Sequence, residues 1–327
     1  MNITNKIMAG ALVLAAAFAV QTPIAQASID CDTIRMIVPW KAGGGTDRLG
    51  RGLGVALEKV SGKSVIIDNI SGASSVTGSV KAINAKPDGC TILMNGSTEM
   101  VAFMTFKQNL PINLDKMKYV GAFYNTPTWL VSHKDRGYTS FKDFVKKAKE
   151  NPGKLTIGVG GATGAHMIMA SGIKGYGNLD VTFVPYSGGA NLKKAMLANQ
   201  VDAGVIHSPV LLKEVKAGMI NVLTVGGPLT NIEYPEIRDV PTLESLGLPV
   251  KVAAIRGIFV PVDTSDEVVA ELAGWLQSAI KDPEFIEFGK KFGYPPVWIP
   301  GDKFRERMYQ DAEAYKKIYE AYIKGDS

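Results

Sequence analysis

The chain predicts an α/β fold of two doubly wound lobes with a cleft between them. Three observations lead there. Short β-branched runs alternate with longer helical patterns. The runs are nearly continuous in apolar residues, as in strands of a parallel sheet covered by helices on both faces. The alternation also restarts in mid-chain, again as a strand, a glycine loop and a helix.

In order, Ile34–Val38 reads as a strand, and Leu49, Leu53, Leu57 and Val60 follow at helical spacing. Val65–Ile67 is a second strand, Val76, Val80 and Ile83 a second helical stripe, and Thr91–Met94 a third strand. The second round opens with the helix face Phe141, Phe144, Val145 and Ala148. Strands are expected at Leu155–Val159, Val181–Val184, Val201–Ile206 and Val252–Val260, with late helices around Val268–Ile280 and Phe304–Tyr322. The tyrosines Tyr315, Tyr319 and Tyr322 of that last helix are expected to pack rather than to act.

The first residues have the three parts of a secretory signal: Lys6, the apolar run Met8–Val20, and the small-x-small site Ala25-Gln26-Ala27. The run is too short for a permanent anchor. Cleavage after Ala27 would leave 300 residues, enough for two cores. The formal net charge is +5 with Lys6 counted, and the two signs are interspersed. Without a Lys/Arg block there is no nucleic-acid footprint. In an oxidising compartment Cys31 and Cys90 can pair. They precede and open strands expected to be parallel neighbours, so both would lie at one end of the sheet. Two free buried thiols are the alternative. The Ser28-Ile29-Asp30 stretch does not suit lipid attachment to Cys31.

Two glycine loops carry the functional signal. Ala42-Gly43-Gly44-Gly45-Thr46-Asp47 and Gly158–His166 each follow a strand and precede a helix. Glycines let the backbone turn and approach a ligand. The free N–H groups of a helix start, with its dipole, favour an anion. Two such loops on facing lobes would hold a carboxylate, and Lys41 could add a cation. The structural alternative is a tight turn with Thr46 or Asp47 as helix N-cap.

Nucleotide sites do not fit the spelling. Arg48 stands where G-x-G-x-x-G needs glycine, and neither loop continues into Gly-Lys-Ser/Thr. There is no H-E-x-x-H, C-x-x-C or G-x-S-x-G, so neither a metal, a cofactor nor a catalytic residue is assigned. His166 opens the second helix and His207, beside Ser208, ends a strand. Strand ends line the cleft in α/β folds, and Ser97, Thr98 and Glu99 after the third strand are placed there by the same reasoning.

Several stretches in series resemble one family: Pro39–Asp47, Asp68–Ala73, Pro87-Asp88-Gly89, Asn151–Leu155, Val184–Gly189, Gln200-Val201-Asp202, Lys216-Ala217-Gly218 and Asp239–Leu243. Together they are similar to the substrate-binding proteins of tripartite tricarboxylate transporters, the Bug family. The likeness covers essentially the whole mature chain. It implies a type II periplasmic binding protein, with lobe one formed by 28–123 and 228–327 and lobe two by 124–227. The crossings would fall near Phe123–Thr128 and Thr224–Pro228. The first loop would grip a carboxylate through Trp40, Lys41, Ala42, Gly43, Gly44, Thr46 and Asp47. The second would do so through Gly160, Gly161, Ala162, Thr163, Gly164, Ala165 and His166. Ser97, Thr98, His207 and Ser208 would shape the distal end. The expected partners are a small organic carboxylate and a two-component membrane permease, met by a monomer that binds and does not turn over. A sensor module for a membrane signalling protein is the alternative, and an α/β enzyme acting on carboxylates a weaker one.

Overall fold

The computed structural model describes residues 29–106, 112–160, 164–227 and 237–324. The signal segment, Gly161–Thr163 and Pro228 lie outside them. The first expected strand and helix are β1 (Thr33–Val38) and α1 (Gly45–Ser61). Leu49, Leu53 and Leu57 face the core from α1. The helix stops at Gly62, whose left-handed conformation lets its N–H bond back to the Glu58 carbonyl. Next come β2 (Ser64–Asn69), α2 (Val76–Ile83), β3 (Thr91–Gly96) and α3 (Ser97–Phe106). The second round runs α4 (Phe141–Glu150), β5 (Leu155–Val159), α5 (Ala165–Gly177), β6 (Val181–Pro185), α6 (Gly189–Leu197), β7 (Ala203–His207) and α7 (Ser208–Lys216).

The sheet is mixed, not parallel throughout. Strands β2-β1-β3 and β6-β5-β7 form two parallel triplets, one in each round. Between them lie β4 (Met117–His133) and β9 (Ala253–Pro261), which run antiparallel to their neighbours. The sheet order is β2-β1-β3-β9-β4-β7-β5-β6, with β8 (Ile220–Val225) and β10 (Pro296–Pro300) added on β4. The seventeen residues of β4 serve both triplets. Met117–Pro127 pairs with β9, and Thr128–His133 pairs with β7 and β8. A strand that passes from one half to the other need not return through a helix, and this is why antiparallel pairs appear.

Three main-chain bonds tie the crossing together. Thr128 N–H donates to the Val252 carbonyl (3.1 Å), Val252 N–H to Gly226 (2.5 Å) and Gly226 N–H to Thr128 (2.7 Å). The helices α8 (Asp266–Ala279) and α9 (Pro283–Phe292) follow β9, and α10 (Gly301–Tyr322) follows β10. Helix α10 reaches α3 in the first half and α5 in the second. Its Tyr315 is fully buried, in line with a packing role. Cys31 and Cys90 are joined in a disulfide, Cα–Cα 6.2 Å, beside the starts of β1 and β3. Among the described residues no helix is long and apolar enough to cross a membrane.

Candidate ligand-binding site

A cleft of about 770 Å³ opens where the C-terminal ends of the parallel strands face each other. The strand–glycine–helix units build its walls. After β1 the chain turns at Gly43 (φ +83), and Gly44, extended, caps α1. The expected caps, Thr46 and Asp47, lie instead inside the first turn. Asp47 reaches back and accepts from the Gly43 N–H at 2.8 Å, a contact like the return arm of a capping box. It also accepts from Arg51 Nε at 3.1 Å. Burial opposes its ionisation, but hydrogen bonds from Arg51, Gly43 and Asn69 prevail and hold the carboxyl below the ordinary range. Asp47 therefore shapes the loop rather than lining the cleft.

Trp40 is fixed by two asparagines. Its indole Nε1–H donates to Asn95 Oδ1 (3.3 Å), and its carbonyl accepts from Asn69 Nδ2 (3.1 Å). Buried Asn95 is itself held by Ser75 and Ser79. Trp40, Lys41, Gly44 and Thr46 line the cleft from this side, whereas Ala42 and Gly43 are exposed beyond it.

Across the cleft, Gly160, Gly164, Ala165 and His166 line the wall from the second loop. Gly164 caps α5 with φ 109° and ψ −169°, a conformation nearly reserved for glycine. The strands β6 and β7 end in two more lips that precede helices. Tyr186–Ala190, with Gly188 at φ +95, leads into α6, and His207 caps α7 ahead of Pro209. Four helix starts thus converge on one space, each with unpaired N–H groups. Sequence reasoning misses the Tyr186–Ala190 lip as a site, although its strand–glycine–helix spelling repeats that of the other two loops.

The two histidines sit together. Their rings lie 4.3 Å apart, tilted by 49°. His207 Nδ1 is 3.1 Å from Thr128 Oγ1. The His166 pKa is held down at about 4, chiefly by burial and slightly by Arg256, against Glu99 and a Gly160 backbone hydrogen bond that favour the proton. His207 is pushed well below its usual value by burial, then by His166 and Arg256. Both rings are neutral at neutral pH.

Ser97 and Thr98 do not line the cleft. Helix α3 begins at Ser97 itself, and its first turn packs both residues inward, at 0% exposure. The third residue of that turn, Glu99, faces the cleft instead. There it pairs with Arg256 of β9, Nη2 to Oε1 at 2.9 Å and Nη1 to Oε2 at 3.2 Å. Ser208 opens α7 next to the lining residues His207 and Pro209. No group of three or more metal-ligating side chains occurs among the described residues.

The sequence profile of the tripartite tricarboxylate transporter family receptor matches residues 50–321. A UPF0065 protein of Bordetella pertussis is 30% identical over 287 residues, 85% of this chain and 85% of the relative. Among solved structures, a TctC solute-binding protein from Polaromonas without ligand superposes with TM-score 0.76 at 22% identity, covering 88% of this chain and 98% of that one. The R. palustris protein Rpa4515 with adipate also superposes at TM-score 0.76, with 21% identity, covering 88% and 96%. With a family match over most of its length and one fold shared with these binding proteins, the chain belongs to the tripartite tricarboxylate transporter receptor family.

Proposed function

We propose that this chain captures a small organic carboxylate in the cleft and delivers it to a two-component membrane permease. The observation that carries this reading is the convergence of four helix N-termini, three of them preceded by glycine lips, on one cleft. An anion there accepts main-chain N–H bonds without needing its own counter-charge. Lys41 stands at the rim beside the first of these lips. The adipate in the structural relative Rpa4515 supports a carboxylate as the chemistry recognised.

In this reading residues 28–123 and 228–327 form one lobe and 124–227 the other. Ligand enters the open cleft, and contacts made only in the closed form draw the lobes together. The protein works as a monomer in the periplasm after removal of residues 1–27. In this reading it binds without turnover, which the family's description as transporter receptors supports.

The test is a thermal-shift and calorimetric screen of mono-, di- and tricarboxylates on the wild type and Gly44→Val. Gly44 has an ordinary φ of −75°, and a β-carbon there would meet its first neighbour at 3.4 Å. Valine therefore fits the fold but fills the lip. We expect ligand-induced stabilisation of the wild type, and loss of binding by at least about a hundredfold, roughly 2.7 kcal/mol, in the variant. Unchanged affinity in Gly44→Val overturns the anion role of this loop.

A further inference from the structure

The charged residues lining the cleft, among those described, are Lys41, Glu99 and Arg256. They are not equivalent. Lys41 is exposed on the first lip and takes part in no ion pair among the described residues. Arg256 lies in the floor and is already occupied. Both of its terminal nitrogens donate to Glu99, and Nη1 also donates to the Ile255 carbonyl at 3.3 Å. Glu99 in turn accepts from Thr98 Oγ1 at 2.8 Å. The pair lies flat against Gly96, where a β-carbon would collide with both Glu99 and Arg256. The floor is therefore a built, bidentate and internally neutral unit.

Its surroundings add no charge. Tyr124 stands opposite Arg256 in the β4–β9 register, and Ala254 precedes it by two residues on the same face of β9. The two histidines across the cleft are neutral. We infer that this site selects monocarboxylates with an uncharged far end, and that Glu99 is the specificity-determining residue because it occupies the guanidinium of Arg256. This rests on the carboxylate reading above. A second carboxylate at the floor would give up its water without gaining a free cation. An ammonium would find Glu99 already satisfied. A neutral body would meet aromatic and aliphatic walls at no such cost.

The experiment is calorimetric titration near neutral pH with two matched series. One is hexanoate, adipate and 6-aminohexanoate, and the other is benzoate and terephthalate. Wild type, Glu99→Gln and Glu99→Gln/Arg256→Gln are compared. In the wild type, within each series that binds, the monoacid binds at least about tenfold tighter than its charged counterparts. Glu99→Gln releases Arg256 and shifts the ratio toward the dianion by about tenfold or more. The double variant, neutral again, returns the monoacid preference. Where Glu99→Gln does not fold, the wild-type ratio and the double variant decide. Adipate, terephthalate or 6-aminohexanoate binding the wild type as tightly as the monoacid overturns the inference and leaves the carboxylate reading standing. So does a ratio that Glu99→Gln leaves unchanged. Failure of every acid to bind sinks both.

Discussion

The wall built on β1, β3 and β9 and the wall built on β5, β6 and β7 meet the same cleft with different chemistry. The first carries Lys41, Glu99 and Arg256, every charged lining residue described. The second offers glycine lips, Tyr186 and two neutral imidazoles. The first is stapled by a disulfide and anchored by the Trp40–Asn95 contact. In the second, two helix caps, Gly164 and Gly188, hold φ values of 109° and 95°. An anion can thus be met by side-chain charge on one side and by main-chain dipoles alone on the other. The second strategy requires particular backbone angles, so it is the more sensitive to substitution at glycine.

The largest effect expected from this asymmetry is that of the staple. Closing the 59-residue separation between Cys31 and Cys90 contributes about 4 kcal/mol in the chain-entropy picture. Cys31→Ser should lose most of it in denaturant unfolding. Amide exchange should rise in β1 and β3 more than in β5 and β7. A uniform rise would mean that the two halves share one stability rather than two.

Acid should act from the other wall. An unfolded histidine titrates near 6.5, whereas folded His166 does so at about 4. Between those values the unfolded chain holds more protons, so stability falls as pH drops. The contribution is fully present above about pH 6.5 and amounts to on the order of 3 kcal/mol, lost by about pH 4. Unfolding free energies at both pH values should show it, and His166→Gln should flatten the slope. An equal slope in that variant would assign the acid sensitivity elsewhere.

The smallest expected effects lie in the lips themselves. Gly164→Ala forces a side chain into a conformation nearly exclusive to glycine and should cost about 1–2 kcal/mol. Gly44→Ala, at an ordinary φ, should stay within about 0.5 kcal/mol. Equal costs for the two would remove the distinction between the loops.

Much of this was legible where local rules act. The units β1–α1 and β5–α5 follow from apolar periodicity and glycine placement, and the paired cysteines follow from strand order. The antiparallel centre was not legible. Strand β4 contains Gly121 and Pro127 and is buried along nearly its whole length, so it shows no alternation of the kind a half-exposed strand shows. The segment Phe123–Thr128, read only as a crossing, lies within this continuous strand. In the site, Glu99 and Arg256 are 157 positions apart, and no spacing rule joins them. Ser97 and Thr98 looked as available as Glu99 because the start of α3, which buries two of the three, cannot be read from four polar and small residues.

The joint formed by Thr128, Gly226 and Val252 is made of peptide groups only. It does require glycine at 226, where a β-carbon would meet the Val252 carbonyl at 2.8 Å. None of the three residues lines the cleft, so the lining can be exchanged, residue by residue, without rewriting the joint. For protein engineering this separates the chassis from the reader. A library varied at Tyr186, Val210, Ala254 and Tyr294 would retune recognition on an unchanged frame.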